Sequence, residues 1–220
     1  MGKTTAIIVA AGSSSRMGFD KIFARINDKP VLLYVLEAFQ AAETIDGIIV
    51  VNNHADRIKE FASDITKLFE IVAGGKNRDE SVQNGLNAIS YTKGVVAVHD
   101  GARPLITPML IDNMVNAGKA YKAAIPAIAV RDTVKQIKGG YVEYTPDRET
   151  MYAAQTPQVF DLELYRKAIG ANHSQTPTDD SAVLERAGVK VKIVEGDYSN
   201  IKITSPEDLK IAKMLINEGT

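Results

Sequence analysis

The first cluster of residues able to do chemistry is Ala10-Ala11-Gly12-Ser13-Ser14-Ser15-Arg16-Met17-Gly18, followed by Lys21. Small side chains let backbone N–H groups approach an anion closely, and Arg16 and Lys21 add fixed positive charge. A phosphate chain is the natural ligand; a flexible Gly/Ser turn with solvated charges is the plainer reading of the same residues. Two common phosphate loops do not fit. A dinucleotide fingerprint needs G-x-G-x-x-G, whereas three serines follow Gly12. A Walker loop needs G-x-x-x-x-G-K-[ST], and Gly2-Lys3-Thr4 matches only its tail.

The elements that must position this loop read as alternating strands and helices. Short apolar runs at Thr4–Ala10, Gly47–Val51, Glu70–Ala73, Val95–His99, Ala123–Ala129 and Val189–Val194 suit strands buried on both faces of a largely parallel sheet. Between them, Leu32/Leu36/Phe39, Val82/Leu86/Ile89 and Leu110/Met114/Ala117 recur at helical spacing. Thr107-Pro108 and Ser205-Pro206 are cap-then-proline helix starts. The alternation predicts an α/β three-layer sandwich with a mostly parallel, Rossmann-like sheet. Ligands in such sheets bind at the carboxyl ends of strands, which points to the loops after Ala10, Ala73 and His99. Two β-prone runs around Gly139-Gly140 break the rhythm and predict a hairpin, either an ordinary surface hairpin or a projecting arm.

Composition narrows the chemistry. The 220 residues suit one domain, 1–220, and at 45% hydrophobic and 24% charged they can bury a substantial core. A net charge of -1 supplies no global field for nucleic acid or anionic lipid, so any phosphate-binding charge is local. The absence of cysteine excludes thiol nucleophiles, disulfide scaffolds and Cys-ligated zinc. The histidines at 54, 99 and 173 are too scattered for a spaced zinc motif, so a bound metal would be a hard cation on carboxylate and phosphate oxygens. No run is long enough to span a membrane, which leaves the cytoplasm as the expected location.

Further blocks follow in order: Lys29-Pro30-Val31-Leu32, Gly74-Gly75-Lys76-Asn77-Arg78-Asp79-Glu80-Ser81-Val82, His99-Asp100-Gly101-Ala102-Arg103-Pro104, Asp132-Thr133-Val134-Lys135, Asp147-Arg148, Gln155-Thr156-Pro157-Gln158, Thr178-Asp179-Asp180 and Asn200-Ile201-Lys202-Ile203-Thr204. Together with the first loop, these resemble the 2-C-methyl-D-erythritol 4-phosphate cytidylyltransferase family across almost the whole chain. Three features depart from the family's usual pattern. Asp20 and Ile22 flank the loop lysine where Pro and Gln are common, Gly101 stands where Ala is usual, and Lys76 where an acidic residue is often seen.

The resemblance implies attack of a phosphate monoester on the α-phosphorus of CTP, with loss of pyrophosphate. The nucleophile is already an anion, so no general base is required. The obstacle is like charge: at ~4 Å and an effective dielectric of ~20, each unit pair costs roughly 4 kcal/mol. Catalysis is then positioning and electrostatics. The resemblance assigns Arg16, Lys21 and Lys202 to the triphosphate. It assigns Asp100 to Mg²⁺, where a turn or helix cap is the plain alternative. Cytosine would be read by the main chain near Ala10, Ala11, Gly12 and Gly75, with Gly101 adjacent, and by the Ser81 hydroxyl, which could otherwise cap its helix. The acceptor phosphate would meet Thr133 and Arg148, with Arg131 and Thr156 nearby. Residues 132–152 would form an arm that clasps a second subunit of a homodimer. Arg78 and Arg103 are either structural pairs or ligand neighbours, and Asp179 and Asp180 read as first-turn acids of a helix. Rival readings are a ribitol 5-phosphate cytidylyltransferase, a nicotinamide-dependent oxidoreductase and a non-catalytic nucleotide-binding module.

Overall fold

The computed structural model describes residues 2–12, 20–170 and 178–218. Its first half runs β1 (Lys3–Val9), β2 (Arg25–Ile26), β3 (Lys29–Pro30), α1 (Val31–Ala41), β4 (Gly47–Val51), α2 (Ala55–Lys59), β5 (Leu68–Val72), α3 (Arg78–Asn87) and β6 (Gly94–Asp100). The second half runs α4 (Pro108–Tyr121), β7 (Ala123–Ala129), β8 (Gln136–Lys138), β9 (Tyr141–Tyr144), a 3-10 turn (Arg148–Thr150), β10 (Tyr152–Ala154), β11 (Gln158–Asp161), α5 (Leu162–Ile169), α6 (Asp180–Arg186), β12 (Lys192–Glu195) and α7 (Pro206–Glu218).

Among the described residues, eight strands make one sheet. β5, β4, β1 and β6 lie side by side and parallel. β11 pairs antiparallel with both β6 and β7, β10 pairs antiparallel with β7, and β12 joins β7 in parallel. The alternation of side chains across each strand sorts the core into two layers. Ala6, Ile8, Ile48, Val50, Val95 and Ala97 face α1 and α4, packing on Leu32, Leu36, Phe39, Ile111 and Met114. Ile7, Ile49, Val51, Val96 and Val98 face the other way, onto Val82 and Leu86 of α3, Tyr165 of α5 and Leu184 of α6. The expected three-layer sandwich is therefore what the chain forms.

Local chemistry sets the ends of the helices. The Thr107 hydroxyl accepts from Leu110 N at 3.2 Å and Pro108 opens α4, while the Ser205 hydroxyl accepts from Asp208 N at 3.3 Å ahead of Pro206. The apolar run Val189–Val194 divides, contrary to expectation. Val189 N donates to Leu184 O at 3.0 Å, which closes α6, and Val189 and Val191 pack on the core before β12 begins at Lys192. Residues 131–145 are exposed throughout, and within them β8 and β9 form a two-stranded sheet separate from the main one. Gly139 and Gly140, at φ +58° and +86°, make the tight turn, a conformation open to glycine without steric cost.

Leu36→Ala would remove a fully buried side chain from the α1 layer. We expect a stability loss of about 2–5 kcal/mol in urea unfolding. A loss below about 1 kcal/mol would mean that α1 does not seal that face.

Candidate active site

The sheet register brings the site together. Val9 lies opposite Val51 on one side and Asp100 on the other, and Val51 lies opposite Val72. The carboxyl ends of β1, β4, β5 and β6 are thus level, and their following loops share one edge. After β1 the chain builds β4 and β5 on one side and then crosses to β6 on the other, so this edge is where the direction of winding reverses. A cleft of about 560 Å³ opens there, lined by Ala10, Ala11, Gly12, Lys21, Gly75, Lys76, Arg78, Ser81, Asp100 and Lys202 among others. Reversal points of this kind are where open α/β sheets hold ligands.

Asp100 ends β6 and is largely buried. Lys202 Nζ lies 2.7 Å from its Oδ2, Arg78 Nε 3.6 Å from Oδ1 and Arg103 Nε 3.9 Å from Oδ2. Burial alone would raise its pKa. The attraction of Lys202, then Arg78 and Arg103, outweighs that and holds the group at about 2, so it is a carboxylate at neutral pH.

Lys202 arrives from the far end of the chain on a loop fixed by buried polar groups. Asn200 is fully buried and its Nδ2 donates to Thr156 O at 3.0 Å. Arg103 donates to Asn200 O at 2.6 Å, and Gln155 Nε2 donates to Asp197 O at 2.7 Å. Ile203 N donates to Ala102 O at 2.8 Å. Lys21 also has a local frame: Asp20 Oδ1 accepts from Ile22 N at 3.2 Å, Asp20 O accepts from Phe23 N and Ala24 N, and Ile22 is buried in the core. The departures at 20 and 22 therefore supply a turn cap and an anchor on either side of the cleft lysine.

The loop before α3 is equally determined. Asn77 caps the helix by accepting from Glu80 N at 2.8 Å, and Glu80 Oε2 accepts from Lys76 N at 2.7 Å. A Cβ on Gly75 would stand 2.1 Å from Glu80 Cβ, so only glycine lets the loop fold this tightly over the helix. Ser81 is not the cap. It lies inside α3, buried, donating to Asn77 O at 2.8 Å and accepting from Gly75 N at 3.0 Å while lining the cleft.

Other expected site residues stand elsewhere. Arg16 lies outside the described residues. Gly101 is buried behind Ala10, donates its N–H to Val9 O at 2.9 Å and does not line the cleft; a Cβ there would meet Ala10 Cβ at 3.0 Å. Thr156 does not line the cleft of its own chain. It is buried under the end of β6, where its Oγ1 accepts from Asp100 N at 3.1 Å and shares a 3.0 Å hydrogen bond with His99 Nδ1. Thr133, Arg131 and Arg148 are exposed and none lines the cleft of its own chain. Arg148 donates to Arg131 O at 3.2 Å, and the Arg131 guanidinium stacks 3.7 Å above the Tyr198 ring. Asp179 is the N-cap of α6 rather than a first-turn acid, accepting from Ala182 N at 3.0 Å, and Asp180 is the acid of its first turn, buried against Arg78 and Tyr165.

Two further points bound the chemistry. His99 is wholly buried, and burial drives its ring down to about 3, so it is uncharged and enclosed. Asp100 is the one carboxylate among the described residues that line the cleft, and no group of three or more His, Asp or Glu could hold an ion among those residues. A single ionised oxygen donor suits Mg²⁺, which is held by one or two carboxylates plus substrate phosphates and water.

A small-residue loop, cations from distant segments and one ionised carboxylate at the reversal point of an α/β sheet define a nucleotidyltransferase. The family model for 2-C-methyl-D-erythritol 4-phosphate cytidylyltransferase matches residues 4–218. Proteins of that name from Dehalococcoides mccartyi and Caldanaerobacter subterraneus subsp. tengcongensis are 44% and 42% identical to the chain. The first alignment covers 99% of this chain and 97% of the relative, the second 97% and 99%. The crystal structure of 4-diphosphocytidyl-2C-methyl-D-erythritol synthase from Anaerococcus prevotii superposes with a TM-score of 0.89 at 35% identity, covering 98% of this chain and 96% of that one. The chain belongs to the 2-C-methyl-D-erythritol 4-phosphate cytidylyltransferase family.

The neutral His99 makes stability depend on pH. Its pKa is depressed below the unfolded value of about 6.5, so the unfolded chain binds the extra proton first. Its contribution is complete above about pH 6.5 and is lost as pH falls toward about 3, with a slope of up to ~1.4 kcal/mol per pH unit. Urea unfolding of His99→Gln should show a flatter decline than the parent between about pH 6 and 4. Parallel curves would mean that His99 is protonated in the fold.

Proposed function

We propose that the chain transfers CMP from CTP to 2-C-methyl-D-erythritol 4-phosphate, releasing pyrophosphate, with Mg²⁺, in the cytoplasm and as a homodimer. The observation that carries this reading is the convergence of Lys21, Lys202 and Asp100, from three separated segments, on one cleft beside the small-residue loop.

The main-chain groups at the cleft floor favour a ligand that donates. Ala10 N is committed to Val51 O and Gly75 N to Ser81 Oγ, so Ala10 and Gly75 offer carbonyl lone pairs. Ala10 O already accepts from Asn52 Nδ2 at 2.6 Å, and a carbonyl oxygen has a second lone pair. Carbonyl acceptors suit the exocyclic amine of cytosine and reject the carbonyl of uracil at the same place. Lys21 and Lys202, with Arg16 of the same loop, neutralise the triphosphate and the charge that builds on the α-phosphate. The acceptor phosphate arrives ionised, and His99 is enclosed, so the residues position and neutralise rather than remove a proton. Mg²⁺ on Asp100 would supply further neutralisation of phosphate oxygens.

The arm supports the dimer. A lone two-stranded hairpin is marginal in water, yet this one exposes Ile137, Tyr141, Val142 and Tyr144. An exposed apolar set of this size is the mark of an interface. Tyr152, Ile193 and Tyr198 are also exposed and line a groove formed by β7, β10, β12 and the residues after β12. A second copy covering the arm would bring Thr133, Arg131 and Arg148 to the partner's cleft, the acceptor side of the reaction.

With Mg²⁺, pyrophosphate release should be fastest with CTP and 2-C-methyl-D-erythritol 4-phosphate in a panel of four nucleoside triphosphates against that acceptor and ribitol 5-phosphate. Faster turnover with UTP would overturn the base assignment, and faster turnover with ribitol 5-phosphate the acceptor. Lys202→Ala and Lys21→Ala should each lower kcat by about 10²–10³-fold, whereas a mere binding module would lose only nucleotide affinity. Sedimentation should give a dimer, and Tyr141→Asp with Val142→Asp should yield monomers with little activity. Fully active monomers would remove the arm from the reaction.

A further inference from the structure

Asp180 is a buried acid on α6, and the described segment that carries it does not line the cleft. Two donors hold it: Tyr165 Oη at 2.6 Å from Oδ1 and Arg78 at 2.6 Å from Oδ2. The same Arg78 faces Asp100 with its Nε, but at 3.6 Å, beyond hydrogen-bond distance. One guanidinium thus stands between two carboxylates and gives its close contact to the one away from the cleft. Tyr165, itself buried between Phe160 and the helices, fixes the acid from behind.

The charges explain why this matters. Asp100 already has Lys202 at 2.7 Å and Arg103 at 3.9 Å. Arg78 at 3.6 Å is already an ion-pair neighbour; if it closed to hydrogen-bond distance, two cations would bind that carboxylate directly, and a divalent ion would have to displace both. We propose that Asp180 is a positioning residue that holds Arg78 off Asp100 and so keeps that carboxylate able to bind the divalent cation of the nucleotide complex. The inference rests on the assignment of Asp100 to the metal. Asp180 touches neither nucleotide nor metal; it acts through Arg78.

The test is direct Mn²⁺ binding, read by electron paramagnetic resonance in the presence of CTP, on the full chain at one pH. Asp180→Asn keeps the size and the contact with Tyr165 but releases Arg78, and should weaken Mn²⁺ binding about ten-fold. Adding Arg78→Gln should return the affinity to within about two-fold of the parent, because the competing cation is gone and the pair has been neutralised together. A structural role alone would lower thermal stability in both variants without this weakening and rescue.

Equal Mn²⁺ affinity in the parent and Asp180→Asn overturns the proposal, as does a loss that Arg78→Gln fails to rescue. Should Asp180→Asn not fold, the double variant decides: near-parental Mn²⁺ affinity supports the proposal and a five-fold or greater loss sinks it. Asp100→Asn tells the metal assignment and the role of Asp180 apart. If it binds Mn²⁺ with CTP as well as the parent, the metal assignment itself is wrong and the role of Asp180 falls with it. If Asp100→Asn loses binding and Asp180→Asn does not, only the role of Asp180 fails.

Discussion

A carboxylate removed from water must be compensated, and Asp100 is the place where this fold meets that requirement. It ends a strand that is buried from Val95 onward, so water cannot solvate it as it would a surface aspartate. Lys202, Arg78 and Arg103 compensate it, and each comes from a different layer of the structure: a late loop, the start of α3 and the turn after β6. Lys202, with Lys21, also lines the cleft that a polyanion would enter, whereas Arg103 does not. Satisfying one buried negative charge and preparing a surface for negatively charged ligands are here the same arrangement.

That arrangement is held by uncharged buried polar groups. Gln155, Thr156 and Asn200 are all buried, and none carries charge. They tie the Lys202 loop, the end of β6 and the break between β10 and β11 into one hydrogen-bonded unit. Buried networks of this type are costly when incomplete and rigid when complete. Most of these donors and acceptors are matched, which keeps a long, flexible lysine directed at a single carboxylate.

Much of the scaffold was legible because its signals are local. Apolar runs marked β1, β4, β5, β6 and β7 to within a residue or two but gave no sign of β10 or of β11, the short buried strand between β6 and β7; Thr107 and Ser205 marked helix starts, and Gly139-Gly140 marked the hairpin turn. The ordered motif blocks, rather than any single one, picked out Lys21, Asp100 and Lys202. What escaped was decided by partners far away in sequence. Asp180 is the expected first-turn acid, but its burial against Arg78, 102 residues away, left no local signal. Thr156 looked like a ligand contact, yet faces inward to His99. Gly101 lay inside a motif, but its N–H is committed to Val9. The division of the Val189–Val194 run followed from a helix exit that hydropathy does not register.

The pairing of β1 with its neighbours carries a burden beyond packing. One alignment sends Ile8 to one core layer and Ile7 to the other, and also sets Val9 level with Asp100 and Val51. A slip of one residue would turn every β1 side chain to the wrong layer. It would also pull the Ala10–Gly12 turn away from the carboxylate by a full strand step. Substitutions deep in β1, out of reach of any ligand, therefore act on the phosphate-facing edge as a lever does. Drift in this strand cannot trade folding against catalysis, because both are read from the same alignment.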